Sequence, residues 1–184
     1  ALLPSVDGYE NYVAHVSRFV KNEKAKQLYY DHVRNIVSRV NTVTGRPYTE
    51  DPTIFSWQIG NEPRAFARDS VTKAAFQEWM CSSASLIKSL DPNHMVSTGS
   101  EGLYGCEVDM DLFEKIHSHK DFDYLNVHIW PLVWRWVTKD TFADSVCVAN
   151  RQTEKYLTAH FPVAERLGKP IVLEEFGYPR DGNR

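Results

Sequence analysis

The sequence predicts an α/β fold in which strands and helices alternate around a parallel sheet. Four short apolar runs of strand length alternate with longer stretches of helical period. Turn and cap residues separate these segments at nearly every junction. The first run, Thr53-Ile54-Phe55-Ser56-Trp57-Gln58-Ile59, has the apolar density of a strand buried under helices. Regular alternation implies right-handed crossovers. Two architectures satisfy it: a doubly wound sheet, or part of an eight-stranded barrel.

Residues 1–22 carry mixed signals. Pro4 and Gly8 suggest loop, while Tyr12, Val16 and Phe19 suit a short helix or an extended arm. Asn22 is placed to cap the next helix. Val33, Ile36, Val37 and Val40 fall at helical spacing and predict a helix from about Glu23 to Thr42, ended by Gly45 and Pro47. In the strand that follows, alternation puts Ser56, Gln58, Gly60 and Glu62 on one face and Phe55, Trp57 and Ile59 on the other. The first face is small and polar, as a barrel interior requires, and the second is bulky and suits a covering of helices. Glu62 then sits at the C-terminal end of the strand, where barrel enzymes keep their chemistry. Read by itself, it is equally a carboxylate at a helix start.

A helix is predicted from about Ser70 to Leu90, with Phe76, Trp79, Met80, Ser83, Ile87 and Leu90 on one face and Asp91-Pro92 as its stop. His94–Thr98 reads as the next strand and residues 99–105 as a loop. A helix over Asp111–His117 leads to the strand Tyr124–His128, then to an aromatic loop over residues 129–136. The last helix is expected from about Arg151 to Leu167, with Leu157, Phe161 and Ala164 inward. Pro162 should kink or restart it, since proline lacks an amide donor, and Gly168 and Pro170 should close it. The final strand is Ile171-Val172-Leu173-Glu174-Glu175, where alternation groups Ile171, Leu173 and Glu175 and turns Glu174 away.

The totals set bounds. The chain has 184 residues, 42% hydrophobic and 24% charged, which is ordinary for one globular domain spanning residues 1–184. A net charge of −3 gives no basic patch for nucleic acid or an anionic membrane. No signal-peptide pattern and no bilayer-length apolar run is visible. Three cysteines allow at most one internal disulfide and show no metal spacing.

Two predicted strands end in a carboxylate, Glu62 and Glu175, three strand–helix units apart. In a closed barrel they would face each other across the mouth. Paired carboxylates across a cleft are the machinery for cleaving glycosidic bonds: one gives a proton to the leaving oxygen, the other attacks the anomeric carbon. The expected roles are acid/base for Glu62 and nucleophile for Glu175. This chemistry implies no cofactor and no metal.

Asn61-Glu62-Pro63 and Glu174-Glu175-Phe176-Gly177, each at a strand end, resemble glycoside hydrolase family five. Residues 51–55, residues 101–105, and His128-Ile129-Trp130-Pro131 with Trp134 nearby resemble its endo-β-1,4-mannanases. The resemblance implies a (β/α)8 TIM barrel, of which this chain holds about strands four to seven. It also implies a retaining endo-β-1,4-mannosidase acting on mannan or glucomannan, with Glu62 as acid/base and Glu175, not Glu174, as nucleophile. Asn61 resembles the residue that binds the sugar 2-hydroxyl, and His128 the histidine near the nucleophile. Without the resemblance, Asn61 reads as a cap and His128 as a buried, backbone-satisfied histidine. Trp130 stands where the family commonly has a tyrosine bonded to the nucleophile, and an indole offers only a donor. Trp130 and Trp134 are assigned to substrate binding. Trp136 is a further candidate for sugar stacking, with packing as the alternative for at least one of the pair. Glu101, Tyr104 and Arg64 are candidates for lining the cleft.

The length departs from the family, since a full barrel needs about 250 residues. Three explanations stand: part of a longer protein, a piece completed by another chain, or self-association, with the first preferred. Two other functions compete: a β-1,4-glucanase or cellulase of the same family, and a non-catalytic carbohydrate-binding remnant. The polymeric substrate implies a secreted, periplasmic or cell-surface protein.

Overall fold

The computed structural model describes residues 8–138 and 140–178; Pro4 lies outside them. The elements run α1 (Tyr9–Val16), α2 (Glu23–Val37), β1 (Ser56–Gln58), α3 (Ser70–Leu90), β2 (Met95–Ser97), α4 (Met110–His117), β3 (Leu125–Ile129), α5 (Phe142–Leu167) and β4 (Ile171–Phe176). Among the described residues no helix is long and apolar enough to cross a membrane.

Side-chain caps fix three helix starts, of which the sequence predicts the one at Asn22. Asn22 accepts the Ala25 amide at 3.0 Å to open α2. Asp69 takes the Thr72 amide at 2.8 Å ahead of α3, and Asp109 takes the Leu112 amide at 3.0 Å ahead of α4. Each satisfies a donor that the first turn leaves without an intrahelical partner. Gly168 ends α5 in the left-handed region, as expected. Helix α2 stops at Val37, short of the predicted Thr42, because Val40 leaves it to pair with Pro47 in an isolated bridge.

The four described strands pair in parallel, β1 with β2 and β3 with β4. The expected single sheet is divided into two pairs. Side chains occupy the seam. The Asp123 carboxylate accepts the Val96 amide at 2.7 Å, and the Asn126 side-chain oxygen accepts the Thr98 and Gly99 amides, each at 3.1 Å. A side-chain carbonyl here takes the place of a ladder partner.

The core lies between the helices and the outer strand faces. It contains Ile59, Phe76, Met80, Ala84, Ile87, Val96, Phe113, Ile116, Phe122, Leu125 and Val163. Phe19 and Tyr29 pack edge-on against Trp79, and the Tyr29 hydroxyl donates to the Ile59 carbonyl at 2.8 Å. This ties α2 to the end of β1.

Three expectations need correction. Phe55 was placed under the helices but is 67% exposed, because it precedes the ladder, where strand alternation does not yet apply. Helix α5 begins at Phe142 rather than near Arg151, and it continues through Pro162. Pro162 and Thr158, four residues before it, are both exposed, so water can serve the unpaired carbonyl. The buried stripe of α5 is Tyr156, His160 and Val163; of the expected residues Ala164 packs against the core, while Phe161 is 46% exposed. The two stripes have the same spacing and lie one residue apart around the helix. The inward one is chosen by hydrogen bonds: His160 Nε2 accepts the Leu103 amide at 2.9 Å, and its Nδ1 donates to the Tyr156 carbonyl at 2.7 Å.

Two histidines are buried in this core. Burial pushes His117 down to about 3, despite the bond from its Nδ1 to the Phe113 carbonyl. Burial also lowers His160. Both stay neutral when folded but take up protons near pH 6.5 when unfolded. The unfolded state therefore binds more protons below that pH, and stability falls as pH drops from about 6.5 toward 3. Denaturant melts across this range should show that decline. His117→Gln should reduce its slope by up to about 1.4 kcal/mol per pH unit.

Candidate active site

The ends of β1 and β2 are held back to back. Glu62 lies four residues beyond β1 in the left-handed region, at φ 48°, and its amide donates to the Gly99 carbonyl at 2.9 Å. Gly99 has φ 70°, and a Cβ there would stand 2.1 Å from the Gly60 carbonyl oxygen. Only glycine permits this approach, which turns Glu62 over the strand ends.

The predicted pair converges. His128 Nδ1, on β3, lies 3.0 Å from Glu62 Oε1 and 3.4 Å from Glu175 Oε2. One oxygen of each glutamate and a ring nitrogen of His128 all lie within 4.8 Å of one another. Such spacing could also accept a metal ion, although chemistry by two carboxylates requires none. His128 is almost fully buried, whereas both glutamates are about one-third exposed. Burial pulls the imidazole down. The Glu174 and Glu62 side chains and the charge of Glu175 outweigh burial, so His128 titrates above its ordinary 6.5.

Trp130 does what its position suggested. Its Nε1–H donates to Glu175 Oε2 at 3.1 Å, and its ring lies against Gly177, where a Cβ would come within 2.2 Å. Glu62, Glu175, Trp130, Trp134, Arg64, Glu101, Tyr9, Val133 and Arg135 line one open cleft of about 710 Å³. Trp134 also packs on Tyr104, Trp136 and Tyr156, with ring centroids 4.6–5.1 Å away. Trp136 donates to the Tyr104 hydroxyl at 3.2 Å and does not line the cleft. Asn61, next to Glu62, is exposed and is not among the residues that line this cleft.

Arg64 is no solvated surface residue. It grips the Glu101 carboxylate with two nitrogens, Nη2 at 2.6 Å and Nε. Burial lowers the guanidinium, but Glu101 outweighs it and the net effect is upward. Nothing in the sequence pattern marks this pair, because no spacing rule links positions on two different loops.

Alternation misplaced Glu174. The β3–β4 register slips between Val127 and His128, so Glu174 is an extra residue on β4. A bulge breaks the period of two. Glu174 consequently faces His128, with Oε2 3.7 Å from Nε2, and its Oε1 accepts the Tyr124 hydroxyl at 3.1 Å. The three cysteines are free thiols.

Comparison with known proteins places this geometry. A family model described as GH family 5 beta-mannosidase-like matches residues 2–184. Mannan endo-1,4-beta-mannosidase 1 of Arabidopsis thaliana is 34% identical over 179 residues, covering 86% of this chain and 41% of the relative. The chain therefore spans less than half of that protein's length. A glycoside hydrolase family 5 mannosidase from Rhizomucor miehei superposes with a TM-score of 0.80 at 33% identity, over 97% of this chain and 41% of that one. A mutant of that enzyme has been solved in complex with mannosyl-fructose. An endo-beta-1,4-mannanase from Thermotoga petrophila gives 0.70 at 31% identity, over 90% of this chain and 37% of that one. The strand-end carboxylates, the cleft between them and these matches lead to one assignment: the chain belongs to the glycoside hydrolase family 5 β-mannosidase-like family.

Proposed function

We propose that this chain carries the catalytic pair of a retaining endo-β-1,4-mannosidase, as an arc of about strands four to seven of a (β/α)8 barrel. The observation that carries the reading is the approach of Glu62 and Glu175, with oxygens within 4.8 Å across a shared cleft. Retaining enzymes hold their carboxyls about 5–5.5 Å apart, and inverting enzymes about 6.5–9.5 Å, to admit a water. The spacing here supports the first class. The mannan-directed names of the relatives support the substrate.

In the first step Glu175 attacks the anomeric carbon while Glu62 gives its proton to the departing glycosidic oxygen. The C–O bond to the leaving sugar breaks and a glycosyl ester on Glu175 forms. Trp130 and His128 engage Oε2 and leave Oε1 as the attacking atom. In the second step Glu62 takes a proton from water, whose oxygen displaces Glu175 and restores the original anomeric configuration. Asn61 is proposed to reach the sugar 2-hydroxyl. Trp134 is proposed as a sugar platform, a role that suits its place in the cleft wall.

Further barrel units, from the same protein or another chain, would cover Phe55 and Phe176, which stand 67% and 66% exposed by the outer strands β1 and β4. A polymeric substrate also favours action outside the cytoplasm, at the surface, in the periplasm or after secretion.

In the full-length protein, Glu62→Gln and Glu175→Ala should each lower kcat on mannan by at least about 10²–10⁴-fold, with melting temperature preserved. Full turnover by either variant would reject the assignment. Relative rates on galactomannan, glucomannan and carboxymethylcellulose separate a mannanase from a glucanase. Trp130→Phe keeps the ring but removes the donor to Glu175. It should reduce kcat by about 10–100-fold with little change in KM, the scale of one hydrogen bond to a charged group.

A further inference from the structure

We propose that Glu174 is a positioning residue for this reaction: from the β4 bulge its carboxylate occupies the Nε2 side of His128 and fixes Nδ1 toward Glu62 and Glu175. The inference rests on the function proposed above, and it concerns a residue that strand alternation had turned away.

Three observations carry it. The register slip at Val127/His128 inserts Glu174 beside the imidazole, next to Glu175. Tyr124 anchors the Glu174 carboxylate by donating to Oε1 at 3.1 Å. The other oxygen, Oε2, is buried, has no hydrogen-bond partner among the described residues, and lies 3.7 Å from His128 Nε2. A buried carboxylate oxygen with no donor is costly unless a positive charge stands near it. The imidazole is the group in position to supply that charge.

The surroundings of His128 are one-sided. Glu62 faces it from the end of β1, and Glu174 and Glu175 face it from β4. From the loop after β2, the Glu101 carbonyl accepts the His128 amide at 3.3 Å, while the Glu101 carboxylate is turned to Arg64. Just before its own strand, Tyr124 acts through Glu174. An imidazole with a carboxylate at each nitrogen satisfies both only with a proton on each. The upward direction of the His128 titration agrees. Glu174 thus holds His128 as a cation whose Nδ1–H is shared between the two reacting carboxylates. The alkaline limb has two contributors, ionisation of the acid Glu62 and loss of the His128 proton, and Glu174 acts on the second.

Glu174→Gln keeps the shape and removes the charge. The alkaline limb of the kcat/KM profile on a mannan oligosaccharide should move down by about half a pH unit or more, with KM and the acid limb little changed. Glu174→Asp, which keeps the charge, should restore part of the shift. A purely structural Glu174 would alter the melting temperature and leave the limb in place, and that result overturns the proposal. The same variants give a readout free of activity. The His128 imidazole, followed by NMR titration, should lose its proton at lower pH in Glu174→Gln than in the unmodified protein. An unmoved His128 titration also overturns the proposal. If the unmodified protein fails to turn over mannan, the functional assignment falls, and the NMR comparison still decides whether Glu174 controls His128.

Discussion

The rim of the cleft depends on Glu101. Its carboxylate is gripped by Arg64, two residues beyond Glu62. Its carbonyl accepts the His128 amide and, at 2.7 Å, the Tyr156 hydroxyl. One residue on the loop after β2 thereby ties the loop after β1 to β3 and α5. The side chain is almost fully buried, so its charge needs the two-pronged guanidinium partner. Removing one member of such a pair typically costs about 3–5 kcal/mol, because the other is left charged and unsatisfied. Glu62 and His128 hold their mutual 3.0 Å separation on elements that this residue joins.

Around that anchor the backbone accepts local strain. Glu62 sits in the left-handed region, which costs a residue with a Cβ roughly 1–3 kcal/mol and persists only when neighbours over-determine it. The Glu62–Gly99 hydrogen bond and the close contact of Gly99 with Gly60 supply that constraint. At the seam between the strand pairs, Asn126 does similar work by reaching Thr98 and Gly99 with its side chain. The functional carboxylates thus stand on a framework held by side-chain bonds as much as by strand ladders.

Much of this was legible in the sequence, for identifiable reasons. Helix α3 has the expected bounds, because Asp91-Pro92 marks its end and its apolar stripe is long. Glu62 and Glu175 were found because strand ends are predictable from apolar runs and stop signals. What escaped depends on partners remote in the chain. The α5 stripe was misread because Tyr156 and His160 are buried by bonds to the loop around residue 103, which no periodicity records. Glu174 escaped because a bulge is a property of two strands together. The Arg64–Glu101 pair escaped for the same reason.

The contact between Gly177 and Trp130 has a practical corollary. The indole fills the space that any side chain at position 177 would occupy. Redesign of this wall therefore cannot proceed one site at a time. A larger residue at 177 demands a smaller one at 130, and that exchange removes the donor that steadies Glu175. Widening the groove from this side and keeping the nucleophile aimed are competing goals, so variant libraries should diversify the two codons jointly.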